Sequence, residues 1–262
     1  MEKKVFREER LRKIIEILWE QKRVSVNELS DNFSKSPGMI RLDLAELENR
    51  GLISRTHGGA ILVEDSTEDL ILNKNVLQLR AETRKEEKIR MGKAVLDSIQ
   101  DGDSIMIDGG TTTYYVAKHL HTKRNLKIIT TSMFLYPVLW EIPDATIYLT
   151  GGVVHREFHD TYGDLTIESI KEFSPDKTIL GVDGVSMTNG FTTTEPSIAM
   201  VKRQIVATSR KLIVVADSSK FGKVCLFTIA NIQKADLIVT DGNLPEAEAN
   251  KIRELGPTVI RV

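Results

Sequence analysis

An aspartate, two glycines and three threonines stand in a row, Asp108-Gly109-Gly110-Thr111-Thr112-Thr113, between an apolar run at Ser104–Ile107 and a stretch of helical spacing. Glycine lets a ligand approach the backbone, and free N–H groups at a helix start suit an anion. A strand, a glycine turn and a hydroxyl-rich helix start make a place to hold a phosphate. The same residue types follow other apolar runs: Thr131-Ser132, Gly151-Gly152, Asp183-Gly184 and Asp217-Ser218-Ser219-Lys220. A single such turn says little, since glycine after a strand commonly only reverses the chain. Several at one predicted edge of one sheet point to a small anionic ligand. Whether that ligand is held for reaction or for detection is the question these residues pose.

Several chemistries are excluded by spacing. "DGGTTT" lacks the Gly-x-Gly-x-x-Gly spacing of a dinucleotide turn, and no Gly-Lys-Ser/Thr phosphate loop is present. His155 and His159 are four apart in "VVHREFHD" but lack the glutamate of a zinc-protease helix, and with His119 and His121 they form no metal set. No Ser-His-Asp arrangement is suggested by spacing. Neither a metal nor a cofactor is expected. The single cysteine, Cys225, is read as a small buried apolar residue between Val224 and Leu226.

The elements that must position the rim are legible. Apolar strands are expected at Ser104–Ile107, Lys127–Thr130, Thr146–Leu149, Lys177–Gly181, Leu212–Ala216, Leu237–Thr240 and Thr258–Val262. They alternate with helical stretches, the pattern of an α/β domain with a largely parallel sheet, whose ligands bind beyond the carboxyl ends of the strands. A helix from about Glu82 carries Ile89, Ala94, Val95 and Ile99 near one face, with Gly102 as terminator. Residues 63–81 are charged, weakly periodic and read as a linker before a domain at 82–262.

Residues 1–62 differ in character. Leu11, Ile14, Ile15, Leu18 and Trp19 fall at helical spacing, with a break at Lys22-Arg23. Ser25 or Asn27 caps a second helix that buries Val26, Leu29 and Phe33. Ser36 caps a third, with Pro37 at its first position, an apolar stripe of Ile40, Leu44 and Leu47, and Gly51 as its stop. "LISRTHGGAIL" reads as a β-hairpin. Three short helices and a hairpin form a winged helix-turn-helix, whose third helix enters the DNA major groove. Ser36, Gly38, Met39 and Arg41 around that helix start, and Arg55 and His57 on the wing, are the candidate DNA contacts. Charge permits this without demanding it: residues 1–62 hold 12 basic against 10 acidic residues, a net of +2, and the remainder 24 against 27, a net of −3. The charged N-terminus lacks an apolar signal core, no run approaches membrane-spanning length, and one cysteine suits a reducing compartment, so a cytoplasmic protein is expected.

"VSVNELSDNF", "IRLDLAELENRGLISRTHGGA" and "DGGTTT" together resemble the DeoR family of bacterial transcription regulators over nearly the whole chain. The resemblance implies a repressor of a sugar-catabolic operon, binding operator DNA as a homodimer or higher oligomer and released by a phosphorylated sugar. Two positions depart from the family pattern: Met39 stands where a threonine is usual, and Leu42 where a second arginine is usual. Residues 181–222 also resemble ribose-5-phosphate isomerase. Aligned on "ADSSK", the isomerase's glutamate base falls on Lys202, its catalytic lysine on Thr193 and the second aspartate of its turn on Ser186, while Asp183 is kept. Moving a proton between adjacent carbons needs a base, and a lysine ammonium is not one. The resemblance therefore implies a pocket that senses rather than converts, with Glu195 as a substitute base or a solvated glutamate. Its expected effector contacts are Asp108, Gly109, Gly110, Thr111, Thr112, Thr113, Thr131, Ser132, Gly151, Asp183, Lys202 at a helix start, and Lys220. The alternative is an active phosphosugar isomerase or lyase with an appended DNA-binding module.

Overall fold

The computed structural model describes residues 7–49, 52–62, 77 and 80–262. The chain divides into two compact units, Met1–Thr83 and Arg84–Val262. Most of the expected linker, the Gly51 stop and the Trp19 side chain lie outside the described residues.

In the first unit, helices α1 (Arg7–Gln21), α2 (Val26–Phe33) and α3 (Pro37–Asn49) enclose a core of Leu11, Ile14, Leu18, Leu29, Ile40 and Leu44. Between α1 and α2, Lys22 takes a left-handed φ of 64° and the chain runs into β1 (Arg23–Ser25). Strands β2 (Ile53–Thr56) and β3 (Gly59–Leu62) form the expected antiparallel hairpin, and β1 adds to β3 as a third strand. Ser25, not Asn27, caps α2. Its Oγ accepts from Glu28 N at 3.2 Å while Ser25 N donates to Glu28 Oε2 at 2.8 Å, a reciprocal capping box. A buried ion pair joins the first and third helices: Arg10 Nε and Nη2 donate to the two Asp43 oxygens at 2.6 and 3.1 Å.

The second unit is built on a seven-stranded parallel sheet: β4 (Ser104–Ile107), β5 (Lys127–Thr130), β6 (Thr146–Leu149), β9 (Lys177–Gly181), β12 (Leu212–Val215), β14 (Leu237–Thr240) and β15 (Thr258–Arg261). Side chains alternate between its faces. Ile105, Ile107, Ile179, Ile213 and Val215 meet α4 (Lys85–Val95), α5 (Thr111–His119) and α6 (Tyr136–Trp140) on one side. Met106, Leu180, Leu212, Val214 and Ile238 meet α7 (Asp164–Lys171), α8 (Pro196–Thr208) and α9 (Glu246–Glu254) on the other. Both faces of the central strands are covered, so those strands are largely apolar, while the edge strand β6 is mostly exposed.

Two smaller antiparallel sheets lie beyond the alternating pattern: β7 (Val153–His155) with β8 (Asp160–Tyr162), and β10 (Gly184–Ser186), β11 (Gly190–Thr193) and β13 (Phe227–Ala230). The α4 stripe is rotated by about one residue from the expected one. Lys88, Met91, Gly92 and Val95 are buried, while Ile89 and Ala94 are only half-buried. Helix α4 ends at Val95, passes through a 3-10 turn, and Gly102 forms the turn before β4 instead of the helix stop. Cys225 is half-buried between exposed neighbours, Val224 and Leu226, because it lies on the approach to the edge strand β13 and not in the core.

Candidate functional site

The strand order is β15-β14-β12-β9-β4-β5-β6. From β4 the chain adds β5 and β6 on one side, then returns to place β9 on β4's other flank and continues outward through β12. The order therefore reverses between β4 and β9, and in open parallel sheets the ligand crevice lies at that point, beyond the strands' carboxyl ends. Asp108 leaves β4 there and Gly181 ends β9 there.

Asp108 is the hub. Its Oδ2 accepts Lys202 Nζ at 2.5 Å and Gly181 N at 3.1 Å, and Lys202 Nζ also donates to the Gly181 carbonyl at 2.7 Å. Both side chains are buried. Burial pushes the Asp108 carboxyl above its ordinary range; the Lys202 ammonium and the Gly181 N–H pull it back, and Asp183 adds a like charge. Lys202 is not at a helix start as expected. It is the seventh residue of α8, on the inward stripe of Ile198, Val201 and Ile205, which carries it to the strand ends. Its charge is committed to Asp108, so it does not stand as a loose cation for an incoming anion.

A different lysine stands at the helix start. Lys88 reaches from α4 and donates to Thr111 Oγ1 at 3.1 Å in a buried setting. Thr111, Thr112 and Thr113 form the first turn of α5, with Thr113 Oγ1 bonded to the Gly110 carbonyl at 2.9 Å. Gly110 precedes them at φ 136°, a conformation reserved for glycine, and no side chain caps the helix. Gly109 has no room for a side chain: a Cβ there would lie 2.1 Å from Asp160 Oδ1. Asp160 is buried on β8 and pairs through its backbone with Ser132, whose buried Oγ has no hydrogen-bond partner among the described residues. Thr131 accepts through its carbonyl from Thr161 N at 2.8 Å, which holds the β7–β8 hairpin over the end of β5. Asp183 accepts from Thr193 Oγ1 at 2.6 Å.

The structure thus gathers Asp108, Gly109, Gly110, the three threonines, Ser132, Asp183 and Lys202 around the β4–β9 crevice. Gly151 and Lys220 are less central. Gly151 follows β6 and Lys220 follows β12, each strand two places from β4, or ~10 Å along the sheet. Gly151 is exposed, and its carbonyl accepts Thr166 Oγ1 at 2.8 Å, a structural use. Lys220 is half-buried after a turn ordered by Asp217, whose Oδ1 accepts Ser219 N at 3.0 Å. Arg84 reaches the same turn, Nη1 to Ser218 Oγ at 3.2 Å. Burial alone would raise the Asp241 carboxyl, but bonds from Ser218 N and Asn243 N outweigh it and hold Asp241 low. Glu195 is half-buried at the N-cap of α8 and makes no side-chain cap there. His155 and His159 belong to the hairpin and its turn, not to a helix. Among the described residues no group of three His, Cys, Asp or Glu is placed to hold a metal.

Sequence reasoning missed Lys88, Arg84 and Asp160. Lys88 sits in "RKEEKIR", where a charge run resembles a solvated face, and only the helix phase shows it turned inward. Asp160 lies on a three-residue strand with no periodicity of its own.

In the first unit, Ser36 Oγ accepts from Met39 N at 3.4 Å at the start of α3. Ser36, Gly38, Met39 and Arg41 are exposed along this helix, and Leu42 is 69% exposed beside them. His57 is exposed in the hairpin turn. Arg55 is exposed but engaged, its Nε bonded to Glu48 Oε2 at 2.6 Å.

Residues 10–66 match the DeoR-like helix-turn-helix domain and residues 83–242 the DeoR C terminal sensor domain. The chain is 34% identical over 232 residues to the glycerol-3-phosphate regulon repressor of Escherichia coli strain K12, covering 88% of this chain and 90% of that protein. It is 34% identical over 235 residues to the transcriptional repressor AccR of Agrobacterium fabrum, covering 89% of each. Ribose 5-phosphate isomerase A from Neisseria gonorrhoeae superposes on 53% of each chain at 17% identity and a TM-score of 0.38. A helix-turn-helix match, a sensor-domain match and relatives matched over about nine-tenths of their length agree: the chain belongs to the DeoR family of DNA-binding transcriptional regulators.

Proposed function

We propose that this regulator represses a sugar-catabolic operon and is released from its operator by a phosphorylated sugar. The observation that carries the reading is the uncapped α5 start at the sheet's switch point, flanked by a buried lysine and preceded by Gly110, where an added Cβ would meet nothing nearer than Thr113 Oγ1 at 3.6 Å. An N-terminal dipole with open N–H groups favours an anion, and Lys88 places its ammonium beside the threonine hydroxyls. Thr111, Thr112, Thr113 and Ser132 would meet phosphate and sugar hydroxyls; Asp108 and Lys202 would hold the β4–β9 crevice at its width. On this reading the pocket binds and does not catalyse, since the lysine in the isomerase's base position is spent on Asp108.

Ser36, Gly38, Met39, Arg41 and His57 would meet operator DNA, with Arg55 orienting the wing through Glu48. One small module gives modest affinity, so binding as a homodimer or homotetramer follows. No helix of the described residues is long and apolar enough to cross a membrane, which accords with a cytoplasmic regulator. A ligand releases DNA only by binding the off-DNA arrangement more tightly. The test first screens phosphosugars for a rise in melting temperature, then measures operator affinity by fluorescence anisotropy across saturation with those that give one. A phosphosugar that binds tightly and leaves operator affinity unchanged would sink the proposal.

A further inference from the structure

Eight of the fifteen exposed large apolar side chains among the described residues lie within residues 133–165. They surround the edge of the parallel sheet. Strand β6 is terminal and pairs only with β5. Three of its four residues are exposed, and Tyr148 and Leu149 are each 44% exposed. The pattern of a parallel pair leaves alternate backbone groups of β6 pointing outward. Residues 145–154, "ATIYLTGGVV", carry no charge. Edge strands normally protect themselves with lysine, proline or a covering element; none of the first two stands on β6.

The neighbouring elements extend the apolar rim. Helix α6 packs on β6 and presents Trp140, 67% exposed, with its ring 5.7 Å from that of Tyr136. Past Gly152 the chain enters β7 with Val153 exposed. The Thr166 bond to the Gly151 carbonyl sets the start of α7 against the end of β6, bringing Leu165, 75% exposed, to the same rim. Aromatic and aliphatic groups without charge are the composition of an interface centre. Eight large side chains at roughly half exposure offer several hundred Å² of apolar surface, on the order of the ~800 Å² that each partner gives a stable interface.

We propose that this face is where a second copy of the chain docks, β6 pairing with β6 of its partner about a two-fold axis. A strand edge is self-complementary under that symmetry: antiparallel pairing satisfies both edges with the same residues. The occupant is a second copy because the helix-turn-helix module requires two half-sites to be read together. The assignment rests on the oligomeric reading above and adds the surface to it.

The test is the mass of the full chain by light scattering after size exclusion, for wild type and three variants. Leu165→Asp introduces an acid into the first turn of α7, where the helix dipole favours it, so folding is preserved. Leu149→Lys charges the strand edge itself. Leu226→Asp, on an exposed apolar residue away from this rim, is the control. Circular dichroism and melting temperature verify that each variant is folded. Wild type should run as an even multiple of the chain mass. Leu165→Asp and Leu149→Lys should each halve that mass at equal concentration, with at least a tenfold weaker self-association, and Leu226→Asp should change nothing. A wild-type oligomer that survives both rim variants overturns this surface and leaves the oligomeric reading standing. A wild type that stays monomeric at every concentration overturns both.

Discussion

Lys202 shows how a side chain's meaning depends on what it touches. The resemblance reads it as a cation in the place of an enzyme's base; by contact it is half of a buried ion pair with Asp108. Removing one partner of such a pair strands the other, at about 3–5 kcal/mol, whereas removing both together costs less. Lys202→Met should therefore lower unfolding free energy in urea by that amount, and Asp108→Leu with Lys202→Met should recover much of it. A mere surface lysine would show neither effect. Met39 and Leu42 carry a different chemistry. On the helix proposed to enter the groove they are exposed and apolar, suited to thymine methyl groups and not to phosphate. Replacing thymine by uracil at contacted positions should weaken wild-type binding by about 0.8 kcal/mol per methyl, roughly fourfold. Leu42→Ser and Met39→Ser should be indifferent to the same replacement. Leu42→Arg should instead raise affinity and steepen the salt dependence by about one unit of log–log slope.

At the scale of elements, α1 and α3 are tied by Arg10 and Asp43, so Arg10→Met should destabilise the first unit. The loss should fall below the ~3–5 kcal/mol of a fully stranded charge, because Arg7 Nε stays 3.6 Å from Asp43 Oδ1, and is read from urea unfolding followed by a probe in that unit. The β7–β8 hairpin is expected to be pH-sensitive through His159. Burial holds its imidazole below the usual range, its Nε2 has no hydrogen bond, and its backbone is left-handed at φ 53°. A depressed histidine pKa contributes stability above its unfolded value near 6.5, lost as pH falls through the lower folded value. Melting temperature should drop below about pH 6.5, and His159→Asn, which tolerates that backbone, should flatten the decline. These elements divide sharply in how legible they are. The seven parallel strands read directly because each is apolar on both faces and bounded by turns. The capping serine, the proline at α3's start and the Gly58-Gly59 turn marked the winged module. The hairpin β7–β8 and the β10–β11–β13 sheet did not read, since three- and four-residue strands hold by tertiary pairing and have no period to detect. Helix α4 read as a helix, but its phase did not, because a buried lysine breaks the rule that charge faces water. That single residue hid Lys88 from the candidate site.

For the whole molecule, the expected behaviour is coupling between two binding events. A phosphosugar that binds only the folded protein should raise the melting temperature by mass action, about 2.7 kcal/mol at a hundredfold excess over Kd, and its unphosphorylated sugar should not. Lys88→Met should blunt that shift, since it removes the cation beside the α5 start and leaves the Asp108–Lys202 pair intact. The core and the rim are separable in almost every respect: the strands supply the buried apolar side chains, and the rim turns beyond them carry small polar ones. Asp108 and Lys202 are the exception, belonging to both. They behave as a two-letter word that cannot be respelled one letter at a time. On the proposed reading a change of effector is open at Thr112 and Ser132 and closed at the pair, and a library meant to retune the sensor should randomise the former while leaving the latter untouched.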